Sequence, residues 1–166
     1  LTMNAISSGT LPLTYAWTAS SGSFVDATIE DAVYTMMTPG TYALTLTVTD
    51  ANGCINSDVV DVEVNPLAII NNTIIADTIC SGQMSSGFVF SSSPVGATYS
   101  WSTSVLGVSG LINTSGVGNI PSETLSGNGT VTYTVTPTLN GCIGSVASFT
   151  VKVNANPVLS LGAPYG

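Results

Sequence analysis

The chain has 166 residues, of which 44% are hydrophobic and only 6% charged, against roughly 25% charged in an average domain. Its net charge is −8, with Lys152 as the single basic residue and no histidine. This balance excludes nucleic-acid binding and electrostatic docking to anionic lipid, which both need clustered lysine and arginine. The lack of histidine excludes Ser-His-Asp triads, Cys-His pairs and histidine metal sites, so neither catalysis nor a cofactor is expected.

The first half of the chain ends in two predicted strands. In "GTYALTLTVTD" (residues 40–50), tyrosine, leucine and valine point one way and threonines the other, which is the period of a strand. In "DVVDVEVN" (residues 58–65), valines alternate with acidic residues in the same manner. Asn52–Gly53 lies between them and tolerates positive φ, so the two strands form a tight hairpin.

The second half repeats this arrangement. The strands "GTVTYTVTP" (residues 129–137) and "SFTVKVN" (residues 148–154) flank Asn140–Gly141. No stretch shows a sustained helical period, and no apolar run approaches the roughly 20 residues of a membrane span. The pattern predicts antiparallel β-sandwiches and no membrane insertion.

An internal repeat divides the chain. Equivalent positions lie 84 residues apart at Tyr15 and Tyr99 and at Trp17 and Trp101, 88 apart at Cys54 and Cys142, and 91 apart at Pro66 and Pro157. We therefore predict two modules, residues 1–66, lacking a first strand, and residues 67–157. Residues 158–166 are interpreted as a linker or the start of a further module. The two Tyr-x-Trp motifs supply the predicted core aromatics.

These motifs resemble a known family. The segments "YAW" and "PGTYALTLTVTDANGC" resemble the PKD domain of bacterial surface proteins. In the second module, "ICSGQMSSGFVF", "TYSWST" and "TVTYTVTPTLNGCIGS" resemble the PKD-like repeats of Bacteroidota extracellular proteins, which include adhesins and substrates of type IX secretion. The resemblance covers nearly all of residues 1–157. It implies all-β, immunoglobulin-like sandwiches in tandem and an extracellular, cell-surface or secreted location.

The three cysteines invite a disulfide interpretation, because the composition is that of a secreted protein. Cys80 ends the first strand of the second module and Cys142 follows its last turn, so we predict that they pair, with free buried thiols as the alternative. Cys54 is then left over. Its partner is expected upstream of Leu1, or in a neighbouring subunit.

Few other residues suggest chemistry. Asp50 and Asn52 offer oxygen ligands for calcium, as does "DATIED" (residues 26–31), but turn formation explains the first pair equally well. Thr78, in Asp-Thr-Ile, matches a short O-glycosylation motif of Bacteroidota and could equally be an ordinary strand threonine.

The resulting functional hypothesis is a non-enzymatic structural or adhesive repeat module of a cell-surface chain or filament. Its expected partners are neighbouring copies or adjacent repeats. Two alternatives stay open. One is a glycan-binding module that uses exposed aromatics, with Tyr34 and Tyr165 as candidates. The other is an accessory domain of a larger secreted enzyme.

Overall fold

The computed structural model describes residues 1–162, and these residues contain strands and turns but no helix. Accordingly, no helix in the described part of the chain has the length and apolar character of a membrane span. The chain divides into two compact units, Leu1–Pro66 (unit 1) and Leu67–Gly166 (unit 2). The predicted fold class, all-β with two tandem immunoglobulin-like sandwiches, is confirmed.

Unit 1 is built on a small antiparallel sheet. Its strands are β1 (Thr14–Ala19), β2 (Ser23–Phe24), β3 (Tyr34–Thr35), β4 (Gly40–Thr49) and β5 (Ile55–Val64). β4 lies between β1 and β5 in the main sheet. β2 pairs with β3, and Thr2 forms an isolated bridge with Val33.

The core of unit 1 follows from the alternation along β4. Leu44 is fully buried, while the threonines of β4 are half-buried or exposed. Trp17, on β1, is 7% exposed and pairs across the sheet with Leu46. Met3, Ala32 and Tyr34 complete the buried cluster. The ring of Phe24 contacts those of Trp17 and Tyr34 in tilted arrangements, with centroids 5.6 and 5.1 Å away.

Unit 2 has a larger sheet. Its strands are β6 (Ile69–Ile70), β7 (Ala76–Cys80), β8 (Gln83–Met84), β9 (Ser92–Ser93), β10 (Thr98–Ser109), β11 (Ser115–Val117), β12 (Thr124–Leu139), β13 (Cys142–Ile143) and β14 (Ala147–Asn154). The order across the sheet is β11-β10-β12-β14-β7. β7 pairs with β14 in parallel, whereas the other neighbours are antiparallel. β6 pairs with β9 in a separate two-stranded ladder.

The core of unit 2 is rich in aromatic side chains. Tyr133 and Phe149 are almost completely buried, and Trp101 contacts Tyr133 with ring centroids 5.7 Å apart. Phe149 also contacts Phe88 and Phe90, with centroids 5.1 and 5.0 Å away. The valines of β12 and β14 fill the space between these rings. Unit 2 therefore buries several rings at positions where, as described below, unit 1 has small side chains.

The repeated Asn-Gly motif makes two different turns. In unit 2, Leu139 pairs directly with Cys142, and both Asn140 and Gly141 have positive φ, 49° and 79°. In unit 1, Asp50 N–H donates to the Cys54 carbonyl oxygen and only Gly53 has positive φ, so the loop has three residues. The side chain of Asp50 stabilises this longer loop, because its Oδ1 accepts hydrogen bonds from the N–H groups of Asn52 and Cys54, both at 2.9 Å.

Candidate binding groove

A groove of about 570 Å³ opens in unit 1 between its first residues and β5. Residues 3–9 form one wall and residues 54–60 the other, with Trp17, Leu46 and Val48 between them. Ile55, Val59 and Val60 of the second wall are 69%, 57% and 43% exposed. This wall of the groove therefore mixes exposed apolar side chains with the polar side chains of Asn56, Ser57 and Asp58.

Unit 1 has smaller side chains around the groove than unit 2 has at the corresponding positions. The pairings of Gly40 with Val64 and of Gly129 with Val153 place the two hairpins in the same register, 89 residues apart. In that register Val60 corresponds to Phe149, which is fully buried. Residues 3 and 5 point inward as residues 88 and 90 do, so methionine and alanine stand where unit 2 has two phenylalanines.

The edge of β5 is also open. Within the described residues, the unit 1 sheet ends at β5, whereas in unit 2 the corresponding β14 carries β7 on its outer side. In an antiparallel ladder, hydrogen-bonded residue pairs alternate with pairs that are not hydrogen-bonded. Between β4 and β5 the first hydrogen-bonded pair is Asp50 and Cys54, at the turn. By that alternation Ser57, Val59 and Asp61 direct their backbone N–H and C=O groups away from β4, and of these the Val59 N–H already donates to Asp58 Oδ1. Such an edge can accept a further strand.

The rim of the groove is polar and acidic. Hydrogen bonds from the backbone N–H of Cys54 and from that of Asn52 hold the pKa of Asp50 below its usual value. Asp58 accepts a hydrogen bond from the Val59 N–H at 2.8 Å, and Ser7 Oγ donates to the carboxylate of Glu30. Unit 1 contains no lysine, arginine or histidine. An anionic ligand would therefore be repelled, while an uncharged one would not.

The predicted disulfide between Cys80 and Cys142 is wrong, because all three cysteines are free thiols. Cys80 pairs with Asn154, at the C-terminal end of β14, because β7 runs parallel to that strand. Cys142 pairs with Leu139, at the other end of the sheet. The segment of β12 from Gly129 to Leu139 spans roughly 30 Å, while a disulfide needs Cα atoms within about 7 Å.

Cys54 is free and exposed beside the unit 1 turn. Its partner was expected upstream, at the position that Cys80 has in unit 2. A cysteine at that position would lie at the end of β5 that is far from Cys54, so the reason for expecting it is removed. A bridge from Cys54 to a neighbouring subunit stays a prediction.

The predicted core aromatics divide into two groups. Trp17 and Trp101 are core residues, 7% and 6% exposed, as expected. Tyr15 and Tyr99 are only half-buried; Tyr99 packs on Phe90, and the hydroxyls of Tyr15 and Ser7 are 3.1 Å apart. The indole of Trp17 donates to the carbonyl oxygens of residues 29 and 30, at 3.1 and 3.2 Å.

The aromatic residues proposed for glycan binding do not form an exposed platform. Tyr34 is 2% exposed, and its hydroxyl donates to the Ser21 carbonyl oxygen at 2.6 Å, so its assignment to the surface was wrong. Burial raises its pKa. Tyr165 lies outside the described residues.

Other predicted sites fall at the surface. Asp50 and Asn52 serve the turn, and Asn52 Nδ2 donates to Thr10 Oγ1 at 3.0 Å. No group of three or more Cys, Asp or Glu placed to hold a metal ion occurs among residues 1–162. Calcium binding by this pair therefore stays a prediction. Thr78 is exposed on β7, with its N–H donating to Asp77 Oδ1, and its glycosylation likewise stays a prediction.

Sequence reasoning missed Glu123, a buried carboxylate of unit 2. Glu123 is 5% exposed and accepts hydrogen bonds from the backbone N–H groups of Ile112 and Asn113, at 2.9 and 3.0 Å. Asn113 Nδ2 donates to the same carboxylate. Glu123 thus fixes the loop between β10 and β11. No local signal marks such a residue, because its backbone partners are eleven and ten residues away in sequence.

Comparison with known families agrees with this architecture. The profile of the PKD domain matches residues 1–64, and that of the PKD-like domain matches residues 77–157. No curated protein matches the chain. PKD domains are generally non-catalytic immunoglobulin-like modules and are typically extracellular. The chain is therefore a tandem of a PKD domain and a PKD-like domain.

Proposed function

We propose that the chain is a non-enzymatic, load-bearing segment of an extracellular structural or adhesive protein, with the two units acting as repeat modules. The observation that carries this proposal is the parallel pair of β7 and β14. The chain enters unit 2 ahead of Ala76 and leaves its sheet at Asn154, so the pair joins the two ends of the unit.

This pairing suits a chain under tension. Ala76 pairs with Thr150 and Cys80 with Asn154, so tension applied at the two ends of unit 2 pulls the strands along each other. All hydrogen bonds of the pair are then loaded together rather than one after another. Phe149, Val151 and Val153 of β14 are buried at the same time, so sliding the strands also exposes core side chains.

The surface composition supports an extracellular role. Charged residues make up 6% of the chain, so threonine, serine and asparagine supply most of the polar surface. The single basic residue, Lys152, is exposed and gives trypsin-like proteases one site of attack. Adjacent repeats, neighbouring copies or surface glycans are the partners that such a segment would meet.

Glycan binding and an accessory role in a secreted enzyme are weaker alternatives. The first loses support from the burial of Tyr34, because sugar rings stack on exposed aromatic faces. The second depends on further domains of a parent protein and makes no use of the groove.

The proposal is tested by pulling the full chain from its two ends in a force spectrometer. We expect two unfolding events, each releasing roughly 3.6 Å per residue, with the longer release of unit 2 at the higher force. The reverse order, or unfolding of both units at the force of a helical-bundle control, would contradict it. A glycan array supplies the competing readout, since strong binding to one glycan would favour the alternative.

A further inference from the structure

The main sheet of unit 2 has two outer strands among the described residues, β7 and β11. β11 has three residues and β7 has five, so β7 is the longer edge. Edge strands present unpaired N–H and C=O groups that can pair with another chain, and very short edges carry less of this risk. The outer edge of β7 is therefore the place where unit 2 most needs protection against an added strand.

The hydrogen bonds between β7 and β14 show which groups lie on that edge. Thr150 N–H donates to the Ile75 carbonyl oxygen at 3.0 Å, and Ser81 N–H donates to the Asn154 carbonyl oxygen at 2.8 Å. In a parallel ladder, only every second residue of a strand bonds to a given neighbour. The residues of β7 that direct their backbone groups to the outer edge are therefore Ala76, Thr78 and Cys80.

Side chains occupy two of these three outward N–H groups. Thr78 N–H donates to Asp77 Oδ1 at 2.7 Å, and Cys80 N–H donates to Gln83 Oε1 at 3.1 Å. A strand that added to β7 would use the same donors, so it would have to displace both side chains. Asp77 and Gln83 thus cap the outer edge of β7.

The carboxylate of Asp77 is itself held in place. Its Oδ2 accepts hydrogen bonds from the N–H and the hydroxyl of Ser86, at 2.8 and 2.9 Å. The bond from the Ser86 N–H is the main reason why the pKa of Asp77 lies below its usual value. The charged carboxylate, which accepts bonds from both Thr78 and Ser86, is therefore the form present at neutral pH.

The sequence of this edge explains why a cap matters. Residues 73–80 read "TIIADTIC", with five β-branched residues, no proline, no glycine and Asp77 as the single charge. Short segments of high β-propensity and low charge are the ones that pair between chains. Ile74 and Ile75 are 69% and 57% exposed, so the segment is also accessible.

We propose that Asp77 and Gln83 protect unit 2 from strand pairing between copies of the chain, and that β7 pairs with β7 of a second copy when this protection is removed. A second copy is the partner because the segment is uncharged without Asp77, and two antiparallel copies place β-branched side chains beside each other. With Asp77 present, the same arrangement brings two carboxylates close together, which disfavours it. Asp77 therefore acts both as a hydrogen-bond acceptor and as a charge.

The contact joins identical surfaces, so it gives closed dimers rather than open chains. This inference goes beyond the proposed load-bearing role, and either of the two can fail without the other.

The first test is sedimentation velocity of the full chain over a concentration series. Cys54→Ser, Cys80→Ser and Cys142→Ser form the parent background, which excludes disulfide exchange between copies. We expect Asp77→Ala to lower the dissociation constant for self-association by about tenfold or more, because an unpaired donor and a neutral surface become available together.

The matched control is Asp26→Ala, which removes the same charge from a loop of unit 1. Asp26 Oδ1 also accepts two hydrogen bonds, from the N–H and the hydroxyl of Thr28 at 2.8 and 2.6 Å. Because Asp26 is not on an edge strand, its replacement should change the dissociation constant by less than about twofold.

Two further variants separate the hydrogen bonds from the charge. Asp77→Asn keeps an oxygen acceptor for the Thr78 N–H but has no charge, so its association should lie between that of the parent and that of Asp77→Ala. Adding Gln83→Ala to Asp77→Ala should strengthen association by a further factor of about three or more, because the N–H of residue 80 is then also unpaired. Gln83→Glu keeps the acceptor and should not strengthen it.

Amide hydrogen exchange locates the contact. At concentrations where Asp77→Ala associates, the amides of residues 76–80 should become more protected, while β12 and β14 exchange as in the parent chain. The same measurement shows that the variant is folded, because unfolding would expose the amides of β12 and β14.

An Asp77→Ala chain that stays as monomeric as the parent up to about 1 mM would overturn the proposal. So would equal association of Asp26→Ala, or association in which β12 and β14 lose protection, since the copies would then meet through unfolded chains. Equal association of Asp77→Asn and Asp77→Ala would overturn the part of the proposal that assigns a role to the hydrogen bond.

Discussion

The two units have the same fold but close it differently. In unit 2, β7 covers β14, the residues after Pro66 cover the opening beside it, and three phenylalanines fill the interior. In unit 1, no strand among the described residues pairs with the outer edge of β5, and the corresponding core positions hold methionine, alanine and valine. The difference shows that a shared hairpin and tryptophan define the sandwich, while the outer strand and the ring cluster determine how completely it is closed.

The largest expected effect is the loss of stability when a core residue is truncated, and it should differ between the two units. Phe149→Ala should destabilise unit 2 by about 3–5 kcal/mol, because the ring is fully buried against Phe88 and Phe90. The corresponding change in unit 1, Val60→Ala, should cost less than about 1 kcal/mol, since Val60 is 43% exposed. Calorimetry with each unit's transition resolved checks both values. Equal losses would mean that the open groove does not weaken the packing of unit 1.

A second change probes the contact beneath the unit 2 tryptophan. Gly116→Ala should destabilise unit 2 by about 1–3 kcal/mol, because the new Cβ would lie 2.5 Å from Cζ2 of Trp101. A Cβ added at Gly162 would have no heavy atom within 4 Å, so Gly162→Ala serves as the control. Denaturant unfolding followed by tryptophan fluorescence measures the difference. A neutral Gly116→Ala would show that β11 moves freely away from the indole.

Alkaline pH should weaken unit 2 through Tyr133. Burial, with a smaller contribution from Glu123, raises the pKa of Tyr133 to about 12. The unfolded chain releases this proton near pH 10, so the stabilisation is complete below pH 10 and is lost as pH rises toward 12. The expected loss is about 1–2 kcal/mol, and Tyr133→Phe should remove that part of the pH dependence. Unfolding curves between about pH 8 and 12 test this, and an unchanged slope in the variant would refute it.

The smallest expected effect distinguishes the two Asn-Gly turns. Asn140 has φ of 49°, so Asn140→Ala should lower the free energy of unfolding by about 1 kcal/mol. Asn52 lacks positive φ, so Asn52→Ala should lower it by less. Gly53→Ala and Gly141→Ala should have similar costs, because their φ values are 80° and 79°. Thermal unfolding of the four variants gives the comparison. Equal effects of the two asparagine changes would contradict the different turn geometries.

Much of the fold could be predicted from local patterns. Period-two alternation located the strands that became β4, β12 and β14, and the Asn-Gly pairs located their hairpins. Trp17 and Trp101 proved to be core residues because burial of a large apolar side chain is strongly favourable. These are short-range signals, and each is contained within a single strand or turn.

Long-range pairing could not be predicted in the same way. Rejecting the Cys80–Cys142 bridge required knowing that β7 runs parallel to β14, which no local pattern encodes. The groove depends on which residues are small at three separate places in unit 1, and the burial of Tyr34 depends on a carbonyl group 13 residues away. Such features follow from the assembled sheet rather than from any one segment.

The parallel pairing of β7 with β14 also bears on how unit 2 forms during synthesis. Ala76 pairs with Thr150, 74 residues later in the chain, so the outer edge of the sheet cannot close until nearly the whole unit has left the ribosome. Contacts of such long sequence separation slow folding, and until they form, the valines of β12 and β14 and the ring of Phe149 stay exposed to other nascent chains. Unit 1, whose sheet joins residues at most 35 apart, can fold while its neighbour is still being made.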